Sequence, residues 1–212
     1  MKPVRFFLFL IISLSISLAQ DLKLIQLLPP QTEIGKPLMQ ALKLRQSSRN
    51  FDTKPLPLQE LSNLLWAADG INRPENGKRT APSAMNWQEI DIYAALQQGT
   101  YVYDAKLNRL VCISQKDLRE ATGKQSFVKE APLNLVYIAD EKRMTRANEE
   151  DKIRWSSAAV GFIAQNVYLY CASQGLAVVV RGMVDHKTLT KELKLRPEQK
   201  IILSQTVGYP KQ

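Results

Sequence analysis

Glu89-Ile90-Asp91-Ile92-Tyr93, then Gly99, then Tyr101-Val102-Tyr103, then Asn108 and Leu110-Val111-Cys112-Ile113: this stretch decides the fold. Apolar and polar residues alternate in short runs, and turn residues separate the runs. That is the pattern of consecutive antiparallel strands. Further along, Leu133 to Ile138 is another β-rich run. Glu149 to Ser173 has the length and spacing of the longest helix, closed by Gly175. Leu176 to Val180 and Ile201 to Val207 read as two buried strands, with a short helix from Asp185 to Leu195 between them.

On the other side of the deciding stretch, Pro37 suits a first helical position, and Leu38, Ala41 and Leu42 follow at helical spacing. That helix should stop near Arg45, where the chain turns polar. Pro57 opens a second helix whose apolar face is Leu58, Leu61, Leu64, Leu65 and Ala68, with Gly70 as its cap. Ile71 to Asn86 reads as a long loop, of a kind that is usually functional or mobile. Helices and strands mix without regular βαβ alternation. The fold class is therefore α+β, a mostly antiparallel central sheet flanked by helices.

The chain has 212 residues, 45% hydrophobic and 23% charged, which is enough for one domain with a sizeable core. A single histidine, His186, and two cysteines, Cys112 and Cys171, leave no framework for a zinc finger or a multi-histidine metal site. No metal site is expected. His186 follows Asp185 at a helix start and reads as a surface residue; both cysteines have apolar neighbours and read as two buried free thiols, with a disulfide between them as the alternative that export would permit.

Residues 1–19 read as a secretory signal. Lys2 and Arg5 precede an uncharged run from Phe6 to Leu18, and Ser17-Leu18-Ala19 offers small residues at a cleavage site. Cleavage after Ala19 would deliver the protein to the periplasm or outside the cell; an uncleaved signal would anchor it to the membrane. Residues 20–36, with Pro29-Pro30, read as a linker, and 37–212 as the folded domain. Losing Lys2 and Arg5 lowers the formal charge from +9 to +7. The basic residues are dispersed without interleaved aromatics, so nucleic acid is not the expected partner. Trp155 to Val180 carries no charge, but its scattered serines, Gln165 and Asn166, and the break at Gly175, favour a core helix or a dimer interface over a membrane span.

Three segments suit chemistry. Arg45-Gln46-Ser47-Ser48-Arg49-Asn50-Phe51 places two guanidiniums around hydroxyls, a donor set for phosphate or another anion. Arg79-Thr80-Ala81-Pro82-Ser83-Ala84-Met85-Asn86-Trp87-Gln88 combines small residues, which let backbone approach a flat ligand, with an amide that can meet a heterocycle edge. Gly175-Leu176 through Arg181-Gly182-Met183 ends a buried strand where backbone N–H groups could face a ligand.

Taken together, these segments resemble the nitroreductase-like flavoprotein family, and its SagB-type dehydrogenase branch in particular. The likeness extends from about Pro37 to Pro210, and Gly161-Phe162-Ile163-Ala164-Gln165-Asn166 and Val207-Gly208-Tyr209-Pro210 add to it. The resemblance implies an FMN-binding fold and an intertwined homodimer with flavins at the subunit interface. It implies that Arg45, Ser47 and Arg49 hold the phosphate, ribityl chain and pyrimidine edge. Pro82, Ser83, Ala84 and Asn86 would cover the isoalloxazine, often from the other subunit, and the Gly182 N–H would face flavin N5. A cation near the pyrimidine would tune the potential, while the flavin itself supplies the redox chemistry. Relatives carry basic phosphate ligands beyond the segment matching Val207–Pro210; here Lys211 alone stands there. The implied activity is FMN-dependent hydride or electron transfer on a small or peptide-like substrate, with a quinone or redox protein as possible electron partner. The alternative is a flavin- or small-molecule-binding module without turnover on the same scaffold.

Overall fold

The structure, a computed structural model, describes residues 24–211. The expected signal segment, 1–19, lies outside them. In chain order the elements are β1 (Leu24–Gln26), α1 (Leu38–Leu44), α2 (Leu58–Asp69), β2 (Ile71–Arg73), β3 (Lys78–Arg79), β4 (Ile90–Leu96), β5 (Gly99–Asp104), β6 (Arg109–Ser114), α3 (Phe127–Glu130), β7 (Leu133–Asp140), α4 (Glu149–Gln174), β8 (Ala177–Arg181), α5 (His186–Glu192) and β9 (Gln199–Gly208). Seven strands form one sheet in the order β1-β6-β5-β4-β7-β9-β8, and every neighbouring pair is antiparallel. The α+β expectation holds, and the alternating runs around Glu89–Ile113 are the meander β4-β5-β6.

The two faces of the sheet are covered differently. Alternate residues of β7 divide between them: Leu133, Leu135, Tyr137 and Ala139 join the main core under α2 and α4, while Val136 and Ile138 face a smaller core with Leu118, Val184, Leu189 and Leu193. The inner side of α4 repeats Val160, Ile163, Ala164, Val167 and Cys171 at three- and four-residue steps, as a helix lying on a sheet requires. Its start is capped by Asn148 Oδ1, which accepts from Asp151 N–H, with Glu149, Glu150 and Asp151 at the positive end of the helix dipole. Its end is Gly175 at φ 74°, a left-handed conformation that glycine takes without steric cost. Both cysteines are buried and free. Among the described residues no helix is long and apolar enough to cross a membrane.

Two readings of the sequence need correction. The segment read as a linker, 20–36, belongs to the fold from Leu24 onward. β1 pairs with β6, Leu27 is buried in the main core, and the N–H groups of Leu28 and Gln31 donate to Ser62 and Asn63 of α2. Three strand residues with one buried side chain after them are too short to show a period, and the prolines that follow suggested a spacer. The loop read from Ile71 to Asn86 contains the hairpin β2-β3 and a 3₁₀ turn at Ala84–Asn86.

One buried cation ties the end of β8 to β7, β9 and the turn at Thr122. Arg181, at the end of β8, donates to Thr122 O at 2.6 Å, Thr206 Oγ1 at 3.0 Å and Asn134 Oδ1 at 3.0 Å, and no carboxylate pairs with it among the described residues. Burial lowers its pKa to about 10. Arg181→Met would remove three hydrogen bonds from a charged donor in the interior, while Thr122 O still accepts from Ser204 Oγ and Asn134 Oδ1 from Thr206 Oγ1. Losing hydrogen bonds from a charged donor to buried acceptors costs about 1.5–3 kcal/mol. The urea midpoint of the variant should fall accordingly with an unchanged slope; an unmoved midpoint would show that the guanidinium contributes nothing.

Candidate functional site

β8 is the last strand of the sheet, so its outer row of backbone groups needs cover. The chain from Arg45 to Asn50 supplies it. Ser48 N–H donates to Val178 O at 2.9 Å, and the Val180 N–H is taken by the hydroxyl of Tyr168, reaching over from α4 at 2.9 Å. The same hydroxyl lies 2.9 Å from Ser47 Oγ, and the Arg45 guanidinium stacks 5.3 Å above the Tyr168 ring. The chain end returns to this place. Phe51 bridges Pro210, Lys211 N–H donates to Asn50 O, and the Asn50 amide donates back to Lys211 O. Lys54 lies 4.8 Å from the Tyr209 ring centre.

Arg45, Ser47, Arg49 and Lys211 are thus gathered at one sheet edge, and Gly182 follows directly after the strand they cover, two residues beyond Val180. Gly182 is exposed, with only Leu203 near the place a Cβ would occupy. Among the described residues Arg45, Arg49 and Lys211 have no acidic partner within 4.0 Å. Such a set of unneutralised cations beside an exposed hydroxyl suits a phosphate-bearing ligand. Tyr168 is the member that sequence reasoning missed. It sits in a helix that is apolar along most of its length, and its only signal was a hydroxyl among buried positions.

Pro82, Ser83, Ala84 and Asn86 lie elsewhere. Pro82 and Ser83 line a small cavity with Asp69, Glu89, Ala159 and Ile163, and nothing from 45–49 reaches it. Ala159 is nine residues before Tyr168 on α4, so the two places are about 13 Å apart along the helix. The loop is strained and firmly held. Met85, Asn86 and Gln88 have φ of 51°, 55° and 48°. Gln88 N–H donates to Ser83 Oγ, the Gln88 side-chain amide donates to Gly77 O and Asn86 Oδ1, and Arg79 Nε donates to Gln88 Oε1. Arg79 is in turn paired with buried Asp69.

The family whose sequence profile is described as the Nitroreductase family matches residues 42–209. The chain belongs to the nitroreductase family. A Methanocaldococcus jannaschii protein named "putative nitroreductase" is 33% identical over 180 residues, which are 77% of this chain and 90% of that one. A crystal structure titled "putative nitroreductase" from Ralstonia eutropha is 46% identical, with a TM-score of 0.85, covering 89% of this chain and 90% of the other. The NADPH:FMN oxidoreductase of Vibrio harveyi shares the fold at 21% identity and a TM-score of 0.61, covering 82% and 69% of the two chains. Nitroreductase-family proteins are oxidoreductases that typically bind flavin, and the unpaired cations at the β8 edge fit the phosphate of such a cofactor.

Beneath the Ala81–Asn86 loop the acids are unusual. Burial pushes the Asp69 carboxyl up to about 7 against the pull of Arg79. It raises Glu89 as well, whose two carboxylate oxygens are buried without a hydrogen-bond partner. A carboxyl whose folded pKa exceeds its unfolded value binds its proton more tightly when folded. Its contribution is therefore most favourable below about pH 4 and declines as pH rises toward 7. Asp69→Asn removes that dependence. Urea titrations from pH 4.5 to 7.5 should show the variant gaining on the native protein as pH rises; parallel curves would show that Asp69 ionises normally.

Proposed function

We propose that this chain is an exported FMN-dependent oxidoreductase of the SagB-type branch, working as a homodimer on a small or peptide-like substrate. The observation that carries the reading is the gathering of Arg45, Ser47, Arg49 and Lys211 at the covered edge of β8, without acidic neutralisation among the described residues. The Arg45-to-Phe51 and Ala81-to-Asn86 motifs support the branch, and the basic, apolar and small-residue order of 1–19 supports export. When bound, FMN would supply hydride and electron transfer. Arg45 and Arg49 would bind anionic oxygens, Ser47 would donate a hydrogen bond, and the Gly182 backbone N–H would orient the ring.

Two observations support the homodimer. The β8 edge and the Pro82–Asn86 loop, both implicated in flavin binding, lie apart in one chain. The outer surface carries large apolar groups on α4 and α1: Phe162 is 47% exposed, Trp155 41%, Leu38 63% and Met39 75%. Covering them with a second copy would bring the loop of one subunit to the sheet edge of the other. An exported enzyme works where no nicotinamide pool is expected. The substrate itself would then reduce the flavin, with electrons leaving to a quinone, oxygen or a redox protein.

Arg45→Ala and Arg49→Ala should each weaken FMN binding about ten- to a hundredfold, since a hydrogen bond to an ionised group contributes about 1.5–3 kcal/mol. Dialysis followed by flavin absorbance measures this; full occupancy in both variants would remove the assignment. Bound flavin that never turns over with any donor would favour the binding-module alternative. In stopped flow, NADH at micromolar concentration should bleach the flavin slowly. Bleaching within milliseconds would defeat the proposed electron route.

A further inference from the structure

Tyr168 is 7% exposed, yet its hydroxyl lies between the sheet edge and the exposed Ser47. One of its two hydrogen bonds has a fixed direction. Val180 N–H can only donate, so the Tyr168 oxygen accepts it, at 2.9 Å. The phenolic proton is left with Ser47 Oγ, also at 2.9 Å, as its acceptor among the described residues. A phenol is the more acidic hydroxyl of the pair and the better donor. Ser47 then receives a hydrogen bond from behind and keeps its own proton for the outside.

Resting on the reading of Arg45–Arg49 as a flavin-binding segment, we propose that Tyr168 is a positioning residue that sets the direction of the chain Val180 N–H to Tyr168 O–H to Ser47 O–H. Each donor in such a chain polarises the next, so Ser47 presents a strengthened donor to an oxygen acceptor on the ligand. The ring of Tyr168 also supports the Arg45 guanidinium at 5.3 Å, which holds a cation beside that donor. The site therefore favours oxygens that accept a hydrogen bond beside a cation, either the charged oxygens of a phosphate or the neutral carbonyl and hydroxyl oxygens of a flavin.

The test is a double-variant cycle on cofactor affinity, with FMN and riboflavin as probes and fluorescence quenching as the readout. Ser47→Ala and Tyr168→Phe should each weaken binding about five- to tenfold, the size of one hydrogen bond. In the Ser47→Ala background Tyr168→Phe should add little, because the donor it strengthens is gone. In Ser47→Thr, which keeps a hydroxyl, its penalty should return. Equal losses at every background would mean that Tyr168 serves packing alone and would overturn the relay. No loss in Ser47→Ala would overturn the flavin-binding assignment of Ser47, and the relay with it. A loss confined to FMN puts the acceptor on the phosphate; equal losses for riboflavin put it on the ring or ribityl chain. Should Tyr168→Phe fail to fold, a ring-fluorinated tyrosine at 168 provides a stronger donor of nearly the same shape. It should tighten binding when Ser47 is present and leave Ser47→Ala unchanged; tightening in both would contradict the relay.

Discussion

An outermost strand cannot leave its backbone groups bare, and the organisation of this protein follows from how β8 meets that demand. The polar chain after α1 donates Ser48 N–H to the strand, and α4 lends the Tyr168 hydroxyl to Val180. Covering the edge fixes the course of Arg45 to Asn50, and the Phe51–Pro210 bridge brings Lys211 beside it. Cations that would otherwise scatter over a basic surface are concentrated at one place. The cover that protects the edge from unwanted pairing thus also concentrates positive charge there.

The opposite face of β8 is equally constrained. Arg181 turns under the sheet, away from the α4 side, and binds Thr122, Asn134 and Thr206. Gly123 has no room for a side chain because the guanidinium fills the space. The strand end that carries Gly182 is therefore held by a buried polar network on one side and by the Arg45–Asn50 cover on the other. A backbone N–H that is to face a ligand benefits from such fixed surroundings, because its direction is set before the ligand arrives.

Much of this was legible in the sequence. β4, β5 and β6 announce themselves by alternation around Gly99 and Asn108, and α4 by its length and the glycine at its end. Pro37 and Pro57 marked the starts of α1 and α2. The motif residues were legible as chemistry, yet their separation in space was not. Nothing in the spacing of Arg45 and Asn86 says that about 13 Å of helix divides their surroundings. β1 was hidden by its three-residue length, and the β2-β3 hairpin by a turn that reads as plain loop. Tyr168 and Arg181 could not be assigned from sequence, because their partners lie 12 to 121 positions away, Ser47 and Thr122 at 121 and 59.

The proposed flavin site is a composite one, with the cations of one subunit facing the Ala81–Asn86 loop of another. Mixing two defective chains tests it most directly. One carries Arg45→Ala and Arg49→Ala; the other carries Ser83→Ala and Asn86→Ala. Neither should hold flavin alone. If the halves come from different subunits, a mixed dimer contains one site with every native residue, and flavin absorbance should return after the two chains are unfolded together and refolded. If both halves of a site belong to one chain, every site in the mixture stays defective, and no flavin returning would contradict the claim.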